Sequence, residues 1–246
     1  HTENMLLKNK DVIKILFDKS KKINVSGKKN LDPVKINVPG DPSSAAFFTA
    51  LTLLSKNSHV RIKNICLNPT RIGFYKLLKK QGAKIKFDNF KNENNELRGD
   101  IVVNSCKLKP IKASKEYYVN STDEYPILFI IAALTKGISI FYGISDLANK
   151  ESNRIKEMQK VIKQNGVKSY ASKDKLKIFG KGTIIAKNKI FKVPNLGDHR
   201  ICMSSFILGA LTGAKTIIKN FETVYTSSPS FLKITKLLGA KFEIQK

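Results

Sequence analysis

Two short stretches of this sequence gather side chains suited to acid–base or anion chemistry. Lys150-Glu151-Ser152-Asn153-Arg154 holds two cations and a carboxylate within one helical turn. Asp198-His199-Arg200 sets a carboxylate, an imidazole and a guanidinium side by side. Asp123 in Ser121-Thr122-Asp123-Glu124, and Ser43-Ser44 after Asp41, add further polar groups. A guanidinium stays charged and offers a planar fork to carboxylate or phosphate; an ammonium adds a point charge. A carboxylate within hydrogen-bond reach of a reacting atom can take or return a proton. Each residue also has an ordinary reading. Asp41, Asp123 and Asp198 stand at or near expected helix starts, where a carboxylate caps free N–H groups and meets the positive dipole end. Lys150, Glu151 and Arg154 suit a solvated first turn with an i,i+3 ion pair. His199 marks a helix start as readily as a general base. No single position is specific, but recurrence at three corresponding positions is more so.

The elements that must position these groups form a repeat. In the first unit, Gly40–Ser44 leads into an apolar helix over Ala45–Leu54 and a strand over His59–Ile65. A second helix over Arg71–Gln81 ends at Gly82, before a strand over Ala83–Phe87. The second unit runs Ser121–Glu124, helix Tyr125–Leu134, strand Ile138–Tyr142, helix Glu151–Gln164, Gly166 and strand Val167–Tyr170. The third runs Gly197–Arg200, helix Ile201–Leu211, strand Lys215–Phe221, helix Pro229–Leu238, Gly239 and strand Ala240–Ile244. Extra strands over Asp100–Asn104 and Lys175–Phe179 close the first two units. Gly82, Gly166 and Gly239 sit where a helix end needs positive φ. Their separations of 84 and 73 residues exceed a solenoid repeat and suit αβαβ-type units around a common axis. Three helix N-termini on one rim then favour an anion. Ahead of the repeat, 2–7, 12–17 and 22–25 read as helix, strand and strand, half of a fourth unit, followed by a turn over 26–33. Asn-rich Asp88–Gly99 reads as a solvent loop, and the lysine pairs 28–29 and 79–80 as solvated faces.

Composition narrows the function classes. The chain has 246 residues and a net charge of +26, which points first to a polyanion partner. Only Arg61, Arg71, Arg98, Arg154 and Arg200 among the 45 basic residues are arginine. Nucleic-acid readers lean on arginine, so a diffuse lysine charge argues against a dedicated nucleic-acid function. Hydrophobic residues at 41% exclude a disordered tail. Cys66, Cys106 and Cys202 form neither a disulfide framework nor, with His1, His59 and His199, a recognisable metal set; a reducing cytoplasm fits. The apolar run from Tyr125 to Leu134 is about half of what a bilayer span needs. There is no signal-peptide pattern, and the chain, opening at His1 in a helical pattern, reads as truncated.

Four stretches carry a family resemblance. Val38–Phe47 with Asn68-Pro69-Thr70-Arg71, Asp123-Glu124-Tyr125-Pro126, Lys150–Arg154 and Asp198-His199-Arg200-Ile201-Cys202-Met203 resemble, in order, motifs of the EPSP synthase (3-phosphoshikimate 1-carboxyvinyltransferase) family. Thr226-Ser227-Ser228-Pro229 is similar to a variant in one branch. The resemblance implies an inside-out α/β barrel of βαβαββ units around a pseudo-threefold axis. Residues 1–36 would be the tail of an N-terminal domain, and 37–246 a C-terminal domain of three repeats. It implies enolpyruvyl transfer from phosphoenolpyruvate to the 5-hydroxyl of shikimate 3-phosphate, releasing phosphate, with no metal or organic cofactor. Asp123 would accept the hydroxyl proton, and Glu151 would protonate and deprotonate the methylene carbon. Lys150 would contact the shikimate side or the intermediate, and Arg154 and Arg200 would clamp the phosphoenolpyruvate anion. Asn153 replaces the family's usual Asp, and Thr226 stands where another branch has lysine. The partners expected are these two small molecules, with neither nucleic acid nor membrane, in a cytoplasmic monomer when full length. The alternatives are a UDP-N-acetylglucosamine enolpyruvyl transferase and a basic RNA-binding module.

Overall fold

A computed structural model describes residues 1–6, 9, 12–17, 21–27, 30–33 and 35–245. Residue 7 and the lysine pair 28–29, assigned above to a helix end and a solvated face, lie outside the described residues. The chain opens with helix α1 (Thr2–Leu6) and the antiparallel strands β1 (Ile13–Phe17) and β2 (Lys21–Val25). The first unit then contains α2 (Pro42–Leu54), β3 (His59–Cys66), α3 (Gly73–Lys80), β4 (Lys84–Glu93) and β5 (Glu96–Asn104). The second contains β6 (Lys112–Ala113), α4 (Glu116–Val119), α5 (Tyr125–Ala133), β7 (Gly137–Tyr142), α6 (Arg154–Gln164), β8 (Lys168–Ser172) and β9 (Lys175–Gly180). The third contains β10 (Ile190–Val193), α7 (His199–Thr212), β11 (Lys215–Ile218) and α8 (Phe231–Leu237).

Each unit is a parallel crossover through an apolar helix. β6 pairs with β7 around α5, and β10 with β11 around α7. In the first unit the same crossover shrinks to a single parallel bridge between Gly40 and Ile65, around α2. The three sheets run β3-β5-β4, β6-β7-β9-β8 and β10-β11. Helices α2, α5 and α7 pack on one another and on their own sheets, so helices lie inside and sheets outside. A helix that is apolar all round must be buried, and every residue of α5 is. The second helices keep a solvent face: α6 buries Ile155, Met158, Val161 and Ile162 and exposes its lysines. Phe231 joins the first and third units, packing against Phe47, Phe48, Phe206 and Phe221.

The expected helix-ending glycines hold: φ is +92° at Gly82, +74° at Gly166 and +92° at Gly239. Two other expectations do not. The Asn-rich stretch 88–99 is not a solvent loop but the body of a hairpin, with Glu93 opposite Glu96. Asn94 and Asn95, at φ of 52° and 62°, form its two-residue turn, a geometry asparagine tolerates better than other side-chained residues. The register shifts between Asp88 and Lys91, where Asn89 also takes positive φ and donates to Asp100 at 2.7 Å. Arg61 Nη1 binds Asp88 at 2.9 Å and Asp100 at 3.1 Å, closing the irregular part with charge. The run Ala240–Ile244 makes no strand. No strand among the described residues runs beside it, so its backbone gains no ladder; Phe242 packs on Phe206 instead.

The amino-terminal segment docks on the first unit at Glu96, which takes His1 Nδ1 at 3.0 Å and Asn4 Nδ2 at 2.8 Å. The Cys66 thiol lies beside them, with the donor atoms of His1, Cys66 and Glu96 all within 4.8 Å of one another. Among the described residues, no helix is long and apolar enough to cross a membrane.

Close approach of sheet and inner helix gives one sharp test. Gly180 pairs with Gly137 at the end of β9, where Lys181 N–H donates to Ala133 at the end of α5. A Cβ at Gly180 would lie 1.9 Å from the Thr135 carbonyl oxygen and 2.1 Å from that of Ala132. Backbone cannot swing aside as a long side chain can. Gly180→Ala is therefore expected to destabilise by about 1–3 kcal/mol, the usual range for overpacking. A urea titration measures this, and an unchanged midpoint refutes the contact.

Candidate active site

Three loops meet where the inner helices begin. Asp198 is the N-cap of α7, accepting from the N–H groups of Arg200 at 3.0 Å and Ile201 at 3.4 Å. The same carboxylate takes Arg154 Nε at 2.9 Å and the Ser152 hydroxyl at 2.9 Å. The Asp198 and Arg154 side chains are 0% and 1% exposed. Arg154 opens α6, whose N-cap is Asn153, accepting from Lys156 N–H at 3.0 Å. The Asn that replaces the family's Asp thus still caps.

Arg154 is the hub of the arrangement. Besides Asp198, its Nη2 binds Glu151 at 2.6 Å and its Nη1 reaches Asp123 at 3.5 Å. The other Asp123 oxygen accepts from Arg200 Nη2 at 3.4 Å. Asp123 therefore bridges an arginine of the second unit and one of the third. The two carboxylates that face outward, Asp123 and Glu151, are each 46% exposed, while the arginines beneath them are buried. Two carboxylates stand at an open rim, held from below by buried guanidinium groups. Arg200 Nε and Nη1 are buried and have no hydrogen-bond partner among the described residues. A buried guanidinium with two such donors is suited to an anion.

The ordinary readings fare unequally. Asp41 caps α2 through Ser43 and Ser44 N–H, as expected, and Arg71 Nη2 binds it at 3.0 Å. Asp198 is both cap and ion-pair partner. Asp123 caps nothing: it sits in a short 3-10 turn, Thr122–Glu124, ahead of α5. The solvated first turn does not exist, because α6 starts at Arg154 and buries it. Glu151 lies before the helix, so its pair with Arg154 forms across the helix entrance. Lys150 is drawn away from this cluster, pairing with Asp146 at 2.5 Å. Tyr118 donates to the same carboxylate at 2.7 Å, and Lys150, then Tyr118, hold the Asp146 carboxyl below its usual range.

His199, next to the cluster, is held below the ordinary imidazole value first by burial and then by Arg200. Sequence reasoning missed Glu124. It is 3% exposed, and desolvation pushes its carboxyl up to about 7 against the opposing pull of Ser43, Arg200 and Arg71. A signal was present: an acid directly before a helix with no polar face is carried inside with it. An open hollow lined by Asn57, His59, Lys84 and Asn104 shares no residue with the cluster.

A family model for EPSP synthase (3-phosphoshikimate 1-carboxyvinyltransferase) matches residues 1–234. A 3-phosphoshikimate 1-carboxyvinyltransferase of Sulfurihydrogenibium sp. is 37% identical over 232 residues, covering 94% of this chain and 53% of that protein. The enzyme of the same name from Persephonella marina is 38% identical over 232 residues, with the same coverage. The structure of EPSP synthase from Acinetobacter baumannii superposes with a TM-score of 0.88 at 31% identity, covering 100% of this chain and 56% of that one. The enolpyruvyl transferase NikO from Streptomyces tendae shares the fold, with a TM-score of 0.67 at 15% identity over 93% of this chain and 50% of its own. The chain spans about half the length of the curated relatives it matches. These likenesses share the inside-out α/β architecture and favour neither a UDP-sugar enolpyruvyl transferase nor an RNA-binding module. The chain belongs to the EPSP synthase (3-phosphoshikimate 1-carboxyvinyltransferase) family.

Proposed function

We propose that the complete protein carrying this chain transfers the enolpyruvyl group of phosphoenolpyruvate to the 5-hydroxyl of shikimate 3-phosphate and releases phosphate. The observation that carries this reading is the Asp123 bridge between Arg154 and Arg200, with Glu151 on the same hub. In addition, the hydroxyl oxygen bonds to C2 of phosphoenolpyruvate as its proton passes to Asp123, and C3 gains a proton from Glu151. In elimination, C3 returns a proton to Glu151 while the C2–O bond to phosphate breaks, and the departing phosphate takes the proton held by Asp123. Arg200 supplies fork-shaped donors to the substrate anion. Arg154, already engaged by three carboxylates, chiefly aims Asp123 and Glu151 and adds positive charge behind them. Lys150 serves the shikimate side once an anion there competes with Asp146. Fixed charges of this kind stabilise developing charge without reorganising.

The same reading assigns residues 1–36 to the tail of an N-terminal domain and 37–246 to a C-terminal domain of three repeats. The substrates then bind between this rim and a second domain. The complete protein is expected to release phosphate only when both substrates are present, as a phosphate-release assay measures. Release from phosphoenolpyruvate with UDP-N-acetylglucosamine, and none with shikimate 3-phosphate, overturns the assignment.

A further inference from the structure

Three side chains that share no residue with the Arg154 cluster meet where the amino-terminal segment docks. His1 precedes α1, Cys66 ends β3 and Glu96 opens β5. Their spacing along the chain matches no metal motif, yet the fold brings all their donor atoms within 4.8 Å of one another. His1 Nδ1 stands 3.0 Å from Glu96 Oε1. Ligand atoms of a tetrahedral zinc, bound at about 2.0–2.3 Å, stand roughly 3.3–3.8 Å apart. Shifts of about an ångström or less therefore bring the three donors to that spacing. An imidazole nitrogen, a thiolate sulfur and a carboxylate oxygen are also the donor types that zinc takes.

The surroundings hold these donors in place. Asn4 Nδ2 donates to Glu96 Oε1 at 2.8 Å, and Asn68 Nδ2 donates to Oε2 at 3.1 Å. Such amide donors orient a ligating carboxylate from outside the metal shell. Cys66 is 6% exposed, and both burial and the Glu96 charge oppose its thiolate. A divalent cation reverses that preference and deprotonates a thiol that it binds. The Arg71 guanidinium also acts on the thiol, but it is engaged by Asp41 at 3.0 Å. The His1 side chain is 38% exposed and leaves a path from solvent.

We propose that His1, Cys66 and Glu96 form a zinc site that clips the amino-terminal segment to the first unit. Water fills the fourth position. On metal entry, His1 Nδ1 exchanges its contact with Glu96 Oε1 for the metal, while Asn4 and Asn68 keep the carboxylate in place. The clip takes no part in the proton transfers proposed above.

Cobalt is the direct probe, because Co²⁺ occupies zinc sites and a thiolate bound to it adds an intense near-ultraviolet absorption. The complete protein, stripped with a chelator, is expected to take one Co²⁺ per chain with that absorption, and Zn²⁺ should displace it. This reading uses the unaltered protein and needs no variant to fold. Cys66→Ser should abolish the absorption, whereas Cys106→Ser and Cys202→Ser should keep it. Asn4→Ala should weaken zinc by roughly 10–100-fold, the usual effect of losing a partner that orients a ligand. His1→Gln and Glu96→Gln, which remove ligands, should each weaken it further. Cobalt bound without the thiolate absorption, or an absorption that survives in Cys66→Ser, overturns the proposal, as does unchanged zinc affinity in either ligand variant. Absence of phosphate release overturns the proposed reaction and leaves the metal site standing.

Discussion

Replacing Asp198 with alanine is expected to destabilise the protein by about 3–5 kcal/mol, the cost of removing one partner from a buried ion pair. Arg154 is 1% exposed and cannot turn to water for compensation. Glu151 and Asp123 remain as partners, which places the effect toward the lower end of that range. Alanine also loses the cap on α7, worth about 1 kcal/mol. Asp198→Asn separates the two contributions, because asparagine caps as well as aspartate but carries no charge. It should recover the cap and leave the charge effect. The destabilisation should change little with salt, since a buried pair is weakly screened. Arg154→Met added to Asp198→Asn should restore part of the loss, because two matched neutral groups replace one orphaned charge. Urea midpoints for the four proteins measure all of this. A single Asp198→Ala variant as stable as the parent would show that Arg154 is not held as described.

The parts of this arrangement that the sequence shows are those set by local rules. Helix-ending glycines, the apolar inner helices and the capping aspartates at 41 and 198 each follow from a few neighbouring residues. The recurrence of that punctuation exposes the three units. Long-range pairing is less legible. Asp88–Gly99 reads as a loop because asparagine is common in loops, yet the same residues serve a two-residue turn and an irregular pair of strands. Whether a segment becomes a strand depends on what pairs with it, and Ala240–Ile244 has the composition of a strand but pairs with none among the described residues. Burial of charge is also a tertiary property. Lys150, Glu151 and Arg154 look alike as a polar run, and only packing against α7 separates a buried hub from a rim carboxylate and a lysine turned toward Asp146.

The large positive charge is likewise a poor guide to the site. Around Arg154 and Arg200 stand Asp123, Glu124, Glu151 and Asp198, so carboxyl groups outnumber guanidinium groups where the chemistry is proposed. An arginine surrounded by acids orients them; an arginine with open donors binds an anion. On the proposed reading, the two arginines divide these duties. That division means that substitutions at the rim and beneath it should separate kinetically.

In the complete protein, Glu151→Gln is expected to lower kcat by about 10²–10⁴-fold, the usual contribution of a positioned acid–base group. Glutamine keeps an oxygen for Arg154, so stability should change little, and the 46% exposed side chain adds no buried charge to balance. On the proposed reaction, the KM for phosphoenolpyruvate should stay near its original value, because the two Arg200 donors that have no partner among the described residues are untouched. Asp123→Asn should lower kcat over a similar range but through a different route. It removes the acceptor proposed for the hydroxyl proton and weakens the bridge that holds Arg200, so sulfate should bind more tightly as turnover falls. Arg200→Lys should show the opposite pattern, raising KM for the anion because an ammonium cannot reproduce the planar fork. Steady-state kinetics with both substrates varied distinguishes the three. Undiminished kcat in either carboxylate variant removes that residue from proton transfer. An unchanged KM in Arg200→Lys transfers the anion-binding role to Arg154, whose carboxylate partners would then have to yield when the ligand enters.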